Sequence, residues 1–290
     1  MLAAAVTAVI PAAASGSTET VRVPMRVVLN EPLVRVHIGG GAYWFMVDTG
    51  TDPSVIDLAL AKKLRLRLGS GGAGAGGGSG KNVVFPTSIP QLAVGALGVR
   101  NLDALAIDMS RQSRRLGVAV GGVLGYSFLK GRVTGFDYTR ALLVVGDGSD
   151  PKPAGTTALP FYLDADNGVT VDVTINGKRA VADLDTGSNG ALAVTPRAIG
   201  ALGLTENARS GTPTSGLGYN GTYRATKGYV DRLRLGTIEI VRVPTTFWPP
   251  KSGHDQTPWQ VNVGNRLLRR FDPVFDYRRK LVYLRTRPQR

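Results

Sequence analysis

The sequence predicts an all-β fold built from two related halves, and three observations support this prediction. Short runs of Val, Ile and Leu alternate with turn signals in a chain of 290 residues that contains 38 glycines. The chain also repeats itself, and the triplet Asp-Thr-Gly occurs at the same point of both copies. A chain of this length can bury a substantial core as one large or two medium domains.

Composition excludes several classes of site. The sequence contains no cysteine, which excludes disulfides, thiolate catalysis and cysteine-based metal sites. The two histidines, His37 and His254, lack metal-ligand spacing, and no G-x-S-x-G motif accompanies them. The formal net charge is +14, but the basic residues are dispersed and no nucleic-acid-binding motif is present. We therefore expect a solvated basic surface and no nucleic-acid partner.

The N-terminal stretch MLAAAVTAVIPAAASGS has features of an export signal. It is apolar up to Ile10, and the three alanines before Ser15 resemble a cleavage site. A basic n-region is missing, so a disordered Ala-rich tail is the alternative. We expect residues 1–20 to be one or the other, and an exported chain to be periplasmic or secreted. No apolar run is long enough for a transmembrane helix.

The first part of the repeat aligns without a gap. Residues 34–51 match residues 171–188, and in both copies an alternating strand, a turn and a second strand lead into Asp-Thr-Gly. The second copy turns at Asn176-Gly177, which is a strong hairpin signal. The segments that follow the triplets, SVIDLALAKKLRL and ALAVTPRAIGALGL, each look like a short helix.

The end of each half repeats as well. GGVLGYSFL and VNVGNRLL each predict an apolar strand, a glycine and a short helix, and Phe-Asp-Tyr recurs further on in both halves. A Gly/Pro/Asp-rich stretch with linker composition separates the copies. The predicted division is a first lobe at 21–147, a linker at 148–157 and a second lobe at 158–290.

Two Asp-Thr-Gly turns can form one chemical site if the halves pack as pseudo-twofold mates. Two carboxylates a few ångströms apart share a proton, and one pKa rises strongly. The pair then offers a base for water and an acid for a carbonyl oxygen. The candidate catalytic residues are Asp48 and Asp185.

The residues around each aspartate suit such a site. The glycines allow close backbone approach, the threonines can hydrogen-bond across the axis, and a hydroxyl after each glycine can donate to the outer carboxylate oxygen. Apolar residues before each aspartate lower the local dielectric. The predicted supporting residues are Thr49, Gly50, Thr51, Thr186, Gly187 and Ser188.

These motifs resemble those of retropepsin-like aspartic proteases, in the form known as the bacterial aspartyl protease family. The matching stretches are VDTGT, LDTGS, GGVLGYSFL and VNVGNRLL, and the resemblance covers about residues 25 to 288. It implies two acid-protease lobes, each a closed barrel, joined in one chain around a central cleft. It also implies an aspartic endopeptidase with an Asp48/Asp185 dyad and a cross-axis pair, Thr49 and Thr186. A polypeptide substrate, no cofactor, no metal and a monomer would follow.

The second half departs from the family pattern at two positions. Asp183 lies two residues before the dyad aspartate, where the family keeps an apolar residue, and it either faces solvent or perturbs the dyad. Asn262 makes the strand QVNVGN less apolar than usual. These departures leave a second hypothesis open, namely a peptide-binding module with weak or no turnover. A third is a basic protein that binds nucleic acid or an anionic membrane surface.

Each half contains a segment that could cover substrate as a flap. The first is the Gly-rich stretch 69–85, and the second is the stretch 214–230, where an Asn220-Gly221 turn predicts a hairpin. A flap tyrosine could donate a hydrogen bond over the site, and the candidate substrate-binding residues are Tyr219 and Tyr223. A surface loop is the alternative for both segments.

Overall fold

The computed structural model describes residues 20–74, 78, 80, 82–148 and 155–286. The predicted export signal, apart from Thr20, lies outside the described residues. So do residues 149–154 of the predicted linker and five residues of the first Gly-rich segment.

The described part of the first half forms ten strands and three short helices. The strands are β1 (Val21–Val28), β2 (Glu31–Ile38), β3 (Gly41–Val47), β4 (Ser54–Asp57), β5 (Gly72–Ala73), β6 (Val83–Val94), β7 (Leu97–Ile107), β8 (Val120–Leu124), β9 (Val133–Asp137) and β10 (Leu142–Gly146). The helices are α1 (Leu58–Lys63), α2 (Ser110–Leu116) and α3 (Tyr126–Leu129).

The described part of the second half forms eleven strands and three short helices. The strands are β11 (Thr156–Pro160), β12 (Tyr162–Leu163), β13 (Val169–Ile175), β14 (Lys178–Asp185), β15 (Leu192–Val194), β16 (Thr212–Gly218), β17 (Gly221–Leu235), β18 (Ile238–Phe247), β19 (Val261–Gly264), β20 (Val274–Asp276) and β21 (Leu281–Arg285). The helices are α4 (Pro196–Ala201), α5 (Thr205–Arg209) and α6 (Asn265–Leu268).

The strand order confirms the duplication. The sheet of the second half runs β12-β13-β14-β19-β15-β18-β17-β16, and the first half runs β1-β2-β3-β8-β4-β7-β6-β5. The two orders correspond strand for strand. The protein therefore has the all-β, internally duplicated fold of two lobes that the sequence predicts.

Strands from both halves also share one sheet. The 13-stranded sheet begins β11-β21-β20-β9-β10-β1, so three strands of the second half continue into three strands of the first. At the junction Val274 of β20 lies opposite Gly135 of β9 in an antiparallel pair. This shared sheet fixes the two halves relative to each other.

Alternating side chains account for the strands. In β1 the side chains of Val21, Val23 and Met25 are buried while those between them are exposed, which is the period-two pattern of a sheet with one solvated face. All five residues of β8 are buried, because this strand lies between β3 and β4. None of the helices in the described parts of the chain has the length and apolar character of a membrane span.

The helix predicted directly after each triplet is wrong at its start. Residues Ser54–Asp57 form strand β4, because the β-branched Val55 and Ile56 pair with β7 and β8 inside the sheet. Helix α1 begins only after Asp57, whose carboxylate accepts a hydrogen bond from the Leu60 N–H at 3.0 Å. The second half repeats this arrangement with β15 before α4.

The hairpin predicted within residues 214–230 exists, but its turn lies one residue earlier than predicted. Gly218 pairs with Gly221, so Tyr219 and Asn220 are the two central residues. Gly221 follows with a φ of 103°, a conformation that favours glycine. Tyr219 consequently lies at the tip, while Tyr223 lies on strand β17.

Candidate active site

Both candidate aspartates lie where a buried strand ends. Asp48 directly follows β3, and its N–H donates to the Leu124 carbonyl of the parallel strand β8 at 3.1 Å. Asp185 is the last residue of β14 and lies opposite Gly264 of the parallel strand β19. The two turns thus occupy equivalent positions in the two halves.

Reciprocal hydrogen bonds between the threonines join the two turns. The Thr49 N–H donates to the Thr186 hydroxyl and the Thr186 N–H donates to the Thr49 hydroxyl, both at 3.1 Å. Each hydroxyl in turn donates into the opposite half, to the carbonyl of Leu184 at 2.5 Å and to that of Val47 at 2.8 Å. Because all four bonds are buried, they hold the two triplets in one fixed geometry.

The glycines of the triplets bring the backbone of each half against the carboxylate of the other. A Cβ placed on Gly50 would lie 2.9 Å from Cγ of Asp185, and one placed on Gly187 would overlap the carboxyl group of Asp48. Neither position tolerates a side chain without displacing a carboxylate. The cross-contacts show that both aspartates belong to one cluster.

The two carboxylates have different hydrogen-bond partners. Asp48 accepts from the Gly50 N–H at 2.8 Å through Oδ1 and from the Thr51 hydroxyl at 2.6 Å through Oδ2. Asp185 Oδ1 accepts from the N–H groups of Gly187 at 2.8 Å and Ser188 at 2.9 Å. Ser188 therefore contributes its backbone to this bond, whereas its counterpart Thr51 contributes its hydroxyl.

The outer oxygen of Asp185 has an amide donor in place of a hydroxyl. Asn262 of β19 donates through Nδ2 to Asp185 Oδ2 at 2.9 Å and to Asp183 Oδ2 at 3.0 Å. Asp183 is only 4% exposed, so it does not face solvent. The sequence marks both positions as departures from the family pattern but does not predict this bridge.

Burial and charge separate the two dyad members. Asp48 is 5% exposed while Asp185 is half-buried. Burial, followed by the charge of Asp185, raises the pKa of the Asp48 carboxyl well above its usual range. Asp48 therefore holds its proton to higher pH than an ordinary aspartate does.

A fourth carboxyl group, in addition to Asp48, Asp185 and Asp183, lies near Asp185. Glu31, at the start of β2, is 1% exposed and accepts a hydrogen bond from the Arg115 guanidinium of α2. Burial raises the pKa of Glu31 from 4.5 to about 7, against the opposing effect of Arg115, and the charge of Asp185 adds to the rise. The sequence gives no signal for this group, because the Glu31–Arg115 pairing depends on the tertiary fold.

Glu31 should make the protein less stable as the pH rises. The folded state holds the Glu31 proton up to about pH 7 and the unfolded chain releases it near 4.5. The stabilisation that this proton provides is therefore fully present below pH 4.5 and is lost as the pH rises through 7. Between pH 5 and pH 8, the free energy of unfolding of wild type should fall by about 2 to 4 kcal/mol more than that of Glu31→Gln. Urea unfolding measures this, with the exposed Glu239→Gln as matched control. Equal pH dependence in wild type and Glu31→Gln would contradict the assignment.

The tip of the second hairpin reaches the first half. Tyr219 packs against the apolar cluster that contains Met46 and Val123, and its hydroxyl is buried. Burial, followed by the charge of Asp48, raises the pKa of this hydroxyl. Tyr219 therefore lies close enough to Asp48 for the charge of that carboxyl to act on its hydroxyl.

The described residues of the first Gly-rich segment meet this tip. The Gly80 N–H donates to the Asn220 carbonyl at 2.6 Å, and Asn220 Nδ2 donates to the Gly74 carbonyl at 3.3 Å. The Gly78 N–H donates to the Ser252 carbonyl at 3.0 Å. Hydrogen bonds at Gly74, Gly78 and Gly80 therefore connect the two halves on this side of the molecule.

Tyr223 of β17 belongs to an aromatic cluster of the second half. Its ring meets Trp248 edge-on at 6.3 Å, and His254 stacks on Trp248 with ring centroids 3.7 Å apart. Trp259 completes the cluster at 6.0 Å from Trp248. Burial lowers the pKa of His254 to about 4. These aromatic residues support the loop between β18 and β19.

A duplicated all-β fold with an Asp-Thr-Gly turn at the same point of each half defines the class of aspartic-protease-like folds. Residues 34–128 and 171–261 match the family described as aspartyl protease. These two ranges make up more than half of the chain and place one match in each half, so the chain belongs to the aspartyl protease family as two tandem retropepsin-like lobes. No curated protein has a significant match to the sequence.

Proposed function

We propose that the protein is an aspartic endopeptidase in which Asp48 and Asp185 activate a water molecule to hydrolyse peptide bonds. The observation that carries the proposal is the set of reciprocal threonine bonds, because it holds an aspartate from each half in one cluster. Family membership supports a proteolytic function. The dyad and its roles are assigned from the geometry.

The hydrogen bonds favour different protonation states for the two carboxyl groups. Asp185 accepts three N–H bonds, which stabilise a negative charge, and Asp48 is more deeply buried with a raised pKa. In the proposed resting state Asp185 carries the charge and Asp48 carries the proton.

The proposed reaction needs only these two groups and one water molecule. Asp185 takes a proton from water as the water oxygen attacks the peptide carbonyl carbon, and Asp48 donates its proton to the carbonyl oxygen. The resulting tetrahedral diol collapses when Asp185 returns its proton to the leaving nitrogen. Asp48 recovers a proton from a diol hydroxyl, the C–N bond breaks, and the dyad is restored.

The wider setting of the enzyme is part of the same proposal. The lobes are taken as residues 21–147 and 158–290, and both contribute to one site per chain, so the proposed active form is a monomer. Tyr219 is proposed to contact substrate from above the dyad, given its place beside Asp48. Export to the periplasm or beyond is proposed from the N-terminal sequence alone.

Cleavage of a mixed peptide library tests the function. Digests at about pH 3 to 7, the range in which a coupled carboxyl pair titrates, are analysed by mass spectrometry. We expect endoproteolytic products with a maximum at acidic pH, because Asp48 must keep its proton. If the folded protein captures peptides without cutting them at any pH, the binding-module hypothesis replaces this one.

A further inference from the structure

The two halves differ at one matched pair of positions beside the dyad. On β14 and β19, Asp183 lies opposite Asn262 in parallel register. At the corresponding positions of the first half, Met46 of β3 lies opposite Val123 of β8. An apolar pair in one lobe therefore corresponds to a polar pair in the other.

The polar pair is as deeply buried as its apolar counterpart. Asp183 and Asn262 are 4% and 3% exposed, and Met46 and Val123 are 3% and 0% exposed. A buried carboxyl and amide cost free energy unless they are hydrogen-bonded. The apolar pair of the first half shows that the fold does not need polar groups here. We therefore expect the polar pair to have a role that is needed only in the second half.

The carboxyl groups of Asp183 and Asp185 fix the orientation of the Asn262 amide. Its NH₂ group donates one bond to Asp183 and the other to Asp185, at 3.0 and 2.9 Å. The opposite orientation would place the amide oxygen against the Asp185 carboxylate, which cannot donate a hydrogen bond to it. Without Asp183, only the bond to Asp185 would hold the amide in place.

We propose that Asp183 is a positioning residue, which locks the Asn262 amide so that it donates to the outer oxygen of Asp185. This bond takes the place of the Thr51 hydroxyl that serves Asp48 in the first half. The inference rests on the proposed function, since it assigns the pair to the group that activates water. It explains how the two lobes give their aspartates different donors.

The protonation state of Asp183 fits this role. Burial, followed by the charge of Asp185, raises the pKa of Asp183 well above its usual range. A protonated Asp183 still accepts the Asn262 bond through Oδ2 and adds no negative charge beside Asp185. The titratable groups around Asp183 are Asp185, Asp164, Asp48 and Tyr277. Glu31 lies near Asp185.

The first half supplies the matched replacement for a test. The double variant Asp183→Met/Asn262→Val copies the pair that already packs in the first half, so it removes the bridge and leaves no unpaired buried carboxyl. The variant Asp183→Asn keeps an acceptor oxygen for the Asn262 amide. Circular dichroism and urea unfolding establish that both variants fold, and kcat and KM are measured from about pH 3 to 7.

The double variant should lose about 10- to 100-fold in kcat, the cost of one hydrogen bond to a charged group, with KM changed less than about threefold. The acidic limb of its kcat/KM profile should move to higher pH, because the lost donor favoured the ionised Asp185. Asp183→Asn should stay within about threefold of wild type at acidic pH, where Asp183 is already neutral. If the pair had only a structural role, the double variant would keep both the acidic limb and the kcat of wild type.

Two results would overturn the inference while the proposed function stands. One is a folded double variant with the kcat and acidic limb of wild type. The other is an Asp183→Asn variant that loses as much as the double variant, which would show that the charge of Asp183 matters and its acceptor role does not. If wild type cleaves nothing across the pH range, the proposed function itself fails, and the inference fails with it.

Discussion

Asp48→Asn and Asp185→Asn are each expected to lower kcat/KM for peptide cleavage about 10³-fold, because each removes one of the two groups that transfer protons in the proposed reaction. The substitutions preserve shape, and neither leaves a charge unpaired. Both proteins should therefore fold, and Asp48→Asn should be more stable than wild type at neutral pH, where ionising the buried Asp48 is costly.

An exposed aspartate provides the control for these variants. Asp172 lies on β13 with its side chain in solvent, in the same half as Asp185. Asp172→Asn should retain wild-type activity in the same assay. A dyad variant with activity close to that of the control would remove that aspartate from the proposed mechanism.

Gly187→Ala is expected to have the second-largest effect, a loss of about 100-fold or more in kcat/KM. A methyl group on Gly187 would overlap the Asp48 carboxyl and push it out of position, and a displacement of about 1 Å can cost 10²-fold. Gly50→Ala should lose about tenfold, because its Cβ would lie 2.9 Å from Asp185 Cγ, a smaller overlap.

The same loop supplies a control for the glycine variants. A Cβ on Gly190 would meet only the Ser188 hydroxyl, at an ordinary 3.9 Å. Gly190→Ala should therefore stay within about threefold of wild type. Steady-state kinetics on one peptide measures all three variants, and equal losses in Gly187→Ala and Gly190→Ala would contradict the close packing of Gly187 on Asp48.

The fold was predictable because both halves of the sequence contain the same pattern of strands, turns and Asp-Thr-Gly triplets. Period-two alternation and glycine turns identify strands locally, and the repeat places each triplet after a buried strand without knowledge of the fold. The helix expected after each triplet was wrong at its start, because pairing of Val55 and Ile56 inside the sheet decided the structure there.

The parts of the candidate site that the sequence did not predict depend on contacts between distant segments. Glu31 and Arg115 are 84 residues apart, and Asn262 lies 77 residues from Asp185. Neither pair forms a motif with a fixed spacing. Similarly, the Asn-Gly signal predicted a hairpin in the second half, but only the strand register separated Tyr219 at the tip from Tyr223 on the strand.

The measurement that tests the central claim most directly is the activity of an equimolar mixture of Asp48→Asn and Asp185→Asn, refolded together and assayed beside wild type. If both lobes of one chain form the site, every molecule in the mixture lacks one carboxyl group. We then expect wild type to cleave and the mixture to be as inactive as either variant alone. Recovery of about a quarter or more of wild-type activity would show that the aspartates pair between chains, as in a symmetric dimer, and would contradict the account.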